Sequence, residues 1–203
     1  MPEMKRALTQ RALQEGFIKR GYGFLRAGKD CDFQDYLSFG ASTYSYGRFV
    51  APGIGVHHIL VEQLYTKVTK ERLKSPLWLI NVNIGYLQPA RNYAHWFFDD
   101  VSQVDMVCDQ MFEEIKEYGL PFYSEYEDIA RMIHVYETRI IRGYDGLELK
   151  WISNTQQFTI LPLLYHIVGE TDKGIDFMDR VIKNGAYMDN FRQSFYDNYF
   201  QLG

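Results

Sequence analysis

The sequence predicts an α+β protein: an N-terminal helix, an antiparallel meander of about four strands packed on helices, and an all-helical C-terminal part. Three features point to this class. Residues 77–86, LWLINVNIGY, carry no charge and are rich in aliphatic and aromatic side chains. Ser75-Pro76 and Gln88-Pro89 close the ends, as for a strand buried on at least one face. Second, the preceding segments alternate with a period near two, whereas from residue 100 onward the period is 3.6. Third, the last sixty residues break into helical pieces separated by glycine.

Taken in order, residues 3–19 read as a helix. Ala7, Leu8, Ala12, Leu13 and Phe17 recur near helical spacing, Leu13 and Phe17 would share a face, and Gly21 is a plausible stop. Residues 22–26 form a short strand and 28–30 a turn. In 31–41, Phe33, Leu37 and Phe39 alternate with Asp32, Gln34, Tyr36 and Ser38. Asp35 falls on the apolar side, which places one end of this strand at a sheet edge. Residues 41–49, ASTYSYGRF, read as a loop or ragged edge. A strand follows at 56–63, then a polar linker at 66–74. Residues 77–86 are the last and best-buried strand of the meander.

The helical half opens with a stripe of Val101, Val104, Cys108, Met111, Ile115 and Tyr118. Ser102 with Asp105 resembles a capping box, and Gly119 with Pro121 supplies a stop. A second helix starts at Ser124, capped with Glu127, and faces inward through Tyr126, Ile129, Ile133, Tyr136 and Ile140. After a turn at 143–146 and a strand or helix lead-in at 147–152, helices are expected at 155–168, 172–184 and 189–201. Pro162 starts or kinks the first of these. The division expected is a core domain at 1–142 and a helical extension at 143–203.

Composition narrows the function classes. The net charge of −4 disfavours generic nucleic-acid binding. Stacking of RNA on Tyr36, Tyr44 and Tyr46 would have only Arg48 as a neighbouring cation. No run of about eighteen apolar residues is present, so no membrane span is expected, and the N-terminus lacks the apolar core of a signal peptide. Cys31 and Cys108 match no metal spacing and read as buried free thiols in a reducing, cytoplasmic setting, with a disulfide between them as the alternative. The sequence holds 16 Tyr, 14 Phe and 3 Trp, a surplus that suits core wedges or a binding patch. Charge is unevenly spread: residues 1–30 hold seven Lys/Arg against three Asp/Glu, and 99–128 hold ten Asp/Glu against Lys116 alone.

No catalytic motif emerges. Gly53-Ile54-Gly55 and Gly21-Tyr22-Gly23 lack the remainder of any phosphate-binding loop, and no nucleophile motif occurs. His57 and His58 are adjacent on a strand and point to opposite faces, so they cannot readily chelate one ion together. No metal and no cofactor is expected. Asp109, Glu113, Glu114 and Glu117 offer either a solvated helix face or an acidic docking surface for a basic protein partner. Asn81 and Asn83 open one face of the 77–86 strand, where together with His57 they could line a concave site.

Residues 16–26 (GFIKRGYGFLR), 35–42 (DYLSFGAS), 78–89 (WLINVNIGYLQP) and 117–129 (EYGLPFYSEYEDI) resemble the pattern of a bacterial domain-of-unknown-function family of small α+β proteins. The chain departs from that pattern at Gly40-Ala41-Ser42, where a Gln-x-Ser type core belongs. The resemblance spans roughly 1–140 and implies the fold class with no catalytic residue. The function expected is a protein-binding module, of toxin-immunity or regulatory type, that uses the acidic helical face. The alternative is an enzyme whose site is assembled from His57, His58, His95, Asp99 and Asp100, with metal dependence. A homo-oligomeric component joined through helices 172–201 is a third expectation.

Overall fold

Helix α1 (Pro2–Gln14) buries Met4, Ala7, Leu8 and Ala12, a stripe at helical spacing. It ends well short of residue 19. Gly16 takes φ +82°, and the Phe17 amide donates to the Ala12 carbonyl at 3.0 Å, closing the last turn. Phe17 is therefore buried while Leu13 stays exposed, and the two share no helix face. The computed structural model describes residues 2–29, 32–45, 47–141, 147–148, 152, 154–181 and 186–199. Cys31, Tyr46 and the expected 143–146 turn lie outside these residues.

The chain then builds an antiparallel sheet from β1 (Ile18–Arg20), β2 (Gly23–Ala27), β3 (Phe33–Tyr44), β4 (Gly47–His58), β5 (Trp78–Asn83) and β6 (Trp96–Phe98). The order is β1-β2-β3-β4, with β5 pairing the 53–57 part of β4 and β6 pairing Arg48, Phe49 and Val50. Three expectations change here. Residues 41–49 are not a loop, because β3 and β4 form one long hairpin in register from Phe33↔His58 to Tyr44↔Gly47. The strand expected at 56–63 begins and ends earlier, and Ile59–Thr69 is a helix, α2. Asp35 does not mark an edge: β3 lies between β2 and β4, and the carboxylate is buried against Arg26.

Register sorts the side chains. Leu37, Ile54 and Val82 stand side by side, as do Asp35, Val56 and Ile80, all on one face. Helix α3 (Val104–Glu114) adds Cys108, Met111 and Phe112 to the core, and Phe39 meets the Phe112 ring at 5.9 Å. Burial pushes the Cys108 thiol up to about 11. Gly119 and Pro121 do not stop this helix. A π-turn over Ile115–Gly119 leads straight into α4 (Leu120–Tyr126), with Pro121 in its first turn. The wider turn shifts the hydrogen-bond register just where proline has no N–H to give. At the other end a 3-10 turn over Val101–Gln103 leads into α3; Asp100 caps that turn by accepting from the Ser102 amide at 2.9 Å, and α3 itself has no side-chain cap bond, so Ser102 with Asp105 forms no capping box. Likewise Ser124 lies inside α4. The next helix, α5 (Ile129–Thr138), is capped by Asp128, and its buried stripe is Met132, Val135 and Tyr136.

The described chain forms two compact units. One comprises residues 1–58 and 74–127; the other comprises 59–73 and 128–203. The second unit holds α2, α5, a short ladder of β7 (Ile140–Ile141) and β8 (Leu147–Glu148), α6 (Asn154–Ile167), α7 (Thr171–Val181) and α8 (Ala186–Tyr199). Pro162 sits inside α6, and Gly169 with φ +79° follows its end. Ser194 on α8 donates to the Val68 carbonyl of α2 at 2.7 Å. Among the described residues, no helix is long and apolar enough to cross a membrane.

Candidate binding surface

The acidic residues of α3 have partners nearby. Asp105, Asp109 and Glu113 follow one another at i,i+4 and share a stripe. Arg11 of α1 bridges the first two, with Nε 2.7 Å from Asp109 and Nη2 3.1 Å from Asp105. Its guanidinium holds the Asp109 carboxyl below the usual range. Lys116 joins Glu15 at 3.0 Å and Glu113 at 3.3 Å. Gln88 hydrogen-bonds Glu114, whose carboxyl is raised by partial burial. Glu117 is exposed. One cation of the basic 1–30 segment, Arg11, thus meets the acidic 99–128 segment where α1 packs on α3.

Asn81, Asn83 and His57 lie on one sheet face, the one opposite Ile54 and Val56. Asn83 is engaged on every side. Its Oδ1 accepts from the Gly85 amide at 3.0 Å and the Ala94 amide at 2.8 Å, and its Nδ2 donates to the Ala94 carbonyl at 2.8 Å. The side chain turns the chain out of β5 into a 3-10 turn at Ile84–Tyr86 and ties down residues near Ala94. Asn81 Oδ1 is buried and accepts no hydrogen bond among the described residues. It stands with Ser38 Oγ over Gly53, where a methyl group would meet both within 2.6 Å. His57 and His58 are buried, and His58 meets Phe33 edge-on at 4.5 Å. His95 is exposed, and Asp100 serves as a cap. No three His, Cys, Asp or Glu side chains converge among the described residues.

The outer half of the β3–β4 hairpin is the part that stands open. Past Ser38, the partner of Gly23, β3 runs on without β2. No described strand pairs with residues 39–44 on the side away from β4, and 40–45 are all exposed. Each face of this projecting ribbon borders a cleft. On the α1 side a cleft of about 760 Å3 has an apolar floor of Leu8, Phe24, Phe39 and Val50. Among the described residues its cations are Lys5, Lys19 and Arg48, and no carboxylate lines it. None of the three makes an ion pair among the described residues. Tyr22, 83% exposed, stands at its rim. On the opposite face Tyr44, Phe49, Tyr93 and His95 line a second cleft of about 610 Å3. Phe49 contacts Tyr44 at 5.4 Å and His95 at 4.8 Å between ring centroids, and Phe97 at 4.9 Å.

Several of these residues carry another expectation from the sequence. Tyr44 and Arg48 belong to the stacking site weighed for RNA, but Tyr36, their expected companion, is buried. Lys5 and Lys19 were visible only as part of a basic segment, since nothing local ties residue 5 to residue 48. Compared with family models, curated proteins and solved structures, the chain matches none.

Proposed function

We propose that this chain is a protein-binding module and that the projecting half of the β3–β4 hairpin is its contact surface. One observation carries the reading: the 39–44 edge is undefended. Strand edges are ordinarily blunted by charge, proline, bulges or short length. β1 follows that rule, with three residues of which two are Lys19 and Arg20. Residues 39–44, FGASTY, contain no charge and no proline, and their pairing with β4 has no bulge. An edge of this kind on a folded protein offers backbone donors and acceptors to a partner. The acidic helix is the weaker surface, because Arg11 and Lys116 already neutralise part of it.

The test is site-specific photo-crosslinking in cells of the source. A benzophenone side chain placed at Thr43 is expected to give one discrete protein adduct. The same group at Asp172, on the other compact unit, is the control. The adduct should vanish in the Arg48→Glu background. Equal, diffuse labelling from both positions would overturn the proposal.

A further inference from the structure

We infer that the occupant of this edge is an extended acidic peptide segment that adds as a strand beside residues 39–44 of β3. This rests on the binding-module reading above and names the class of partner. The added strand would lie beyond the end of β2, with the exposed Tyr22 at its end. Its backbone would pair with the open N–H and C=O groups of β3. Alternate side chains would then fall on opposite faces of the ribbon.

The two faces ask for different chemistry. Side chains on the α1 face enter the cleft ringed by Lys5, Lys19 and Arg48, which come from α1, β1 and β4 respectively. Three cations line it from separate elements, without a carboxylate among the described residues to balance them. Carboxylates at alternate positions supply that balance, and the apolar floor takes their methylene stems. Side chains on the other face meet Tyr44, Tyr93 and His95, where aliphatic or aromatic groups pack. A second copy of the chain suits this edge less well, because edge-to-edge pairing would bring one basic cleft against another. The mode is therefore strand addition in which main-chain bonds give affinity and two side-chain rows give selectivity.

The experiment uses the full chain and synthetic peptides of about eight residues, long enough to span the open edge. Peptide one alternates glutamate with valine; peptide two replaces each glutamate with lysine. Fluorescence anisotropy should show the glutamate peptide binding at least about tenfold more tightly, and more weakly as salt rises. A Lys19→Glu, Arg48→Glu double variant, checked for folding by circular dichroism, should reverse the preference. N-methylation of alternate peptide amides should abolish binding in one phase and spare it in the other, because only every second N–H faces β3. Binding that ignores the sign of charge, or that survives N-methylation in both phases, would overturn the inference. So would a dimer in sedimentation equilibrium that the double variant breaks. If Thr43 crosslinks a cellular protein while every peptide fails, the binding module stands and the acidic-strand occupant falls. If both fail, the surface itself falls.

Discussion

Asp35 holds the most perturbed carboxyl of the sheet and shows what burial does to a single residue. It is 4% exposed. Arg26 grips its Oδ2 through Nε at 2.8 Å and Nη2 at 2.5 Å, and that guanidinium lies over the Phe17 ring at 4.6 Å. Tyr123 stands beside it, 5.8 Å from the same guanidinium. Burial pushes Asp35 up to about 7; the neighbouring Glu127 carboxyl adds to the rise, and Arg26 opposes it. Glu127 is pinned in turn by the Lys29 amide at 2.7 Å. The sign of the linkage follows. Between about pH 4, where an unfolded aspartate ionises, and about pH 7, the folded chain keeps a proton that the unfolded chain releases. Unfolding therefore sheds protons across this window, and the contribution of Asp35 to stability falls as pH rises through it. Above about 7 the loss is complete. Urea midpoints measured from pH 4 to pH 8 should show wild type losing stability relative to Asp35→Asn as pH rises. A difference that is flat, or that grows in favour of wild type with pH, would remove this assignment. Tyr123 donates to the Tyr36 carbonyl at 3.0 Å, so its hydroxyl stays protonated throughout and adds nothing to the slope.

At the scale of elements, the sequence was legible where one face is buried and the other is not. Residues 78–83 form the expected strand, Ile80 and Val82 are buried on the expected face, and the three C-terminal helices lie close to their expected bounds. The alternation extended through Tyr86 failed after Asn83 because the asparagine side chain turns the backbone. Strand β4 was obscured by its own packing requirements. Gly53 and Gly55 fall before the strand expected at 56–63, yet they lie within β4 and are small because other groups approach closely. A methyl at Gly55 would lie 2.2 Å from the Ile80 carbonyl. The hairpin tip was hidden for the opposite reason: with neither face of 40–45 buried, no hydrophobic period could develop. The proposed contact surface was illegible for another reason: its cations Lys5, Lys19 and Arg48 sit on three elements far apart in sequence. These glycines separate two costs. Gly55→Ala should lose about 3 kcal/mol or more, because backbone must move to admit the methyl. Gly40→Ala, where the nearest atom would be the Ala51 carbonyl at 3.5 Å, should stay within about 0.5 kcal/mol. Chemical denaturation of the two variants checks this, and equal losses would refute the close approach at Gly55.

For the molecule as a whole, the two units interleave along the chain, with crossings at 58/59, 73/74 and 127/128. A boundary near 142, the natural reading of the sequence, keeps α2 and α5 with the sheet but removes the helices on which they pack. Helix α2 lies on α6 and α8, buries Val61 and Val68, and receives the Ser194 hydrogen bond. Helix α5 packs on α6. A fragment of residues 1–142 would return these apolar groups to water. Each fully buried valine is worth about 1.5–3 kcal/mol, so Val61 and Val68 together, about 3–6 kcal/mol, reach the low end of the net stability of a small domain. Met132 and Val135 on α5 would add to the loss. The fragment is therefore expected to aggregate or to bind a hydrophobic dye, with helical content below that of the same residues in the full chain. Replacing Val61 and Val68 by polar residues in the fragment should relieve the dye binding while leaving the sheet, which belongs to the other unit, intact by circular dichroism. A fragment 1–142 that is monomeric, fully structured and silent to the dye would show that α2 needs neither α6 nor α8. The interleaved division would then have to give way to a simple boundary.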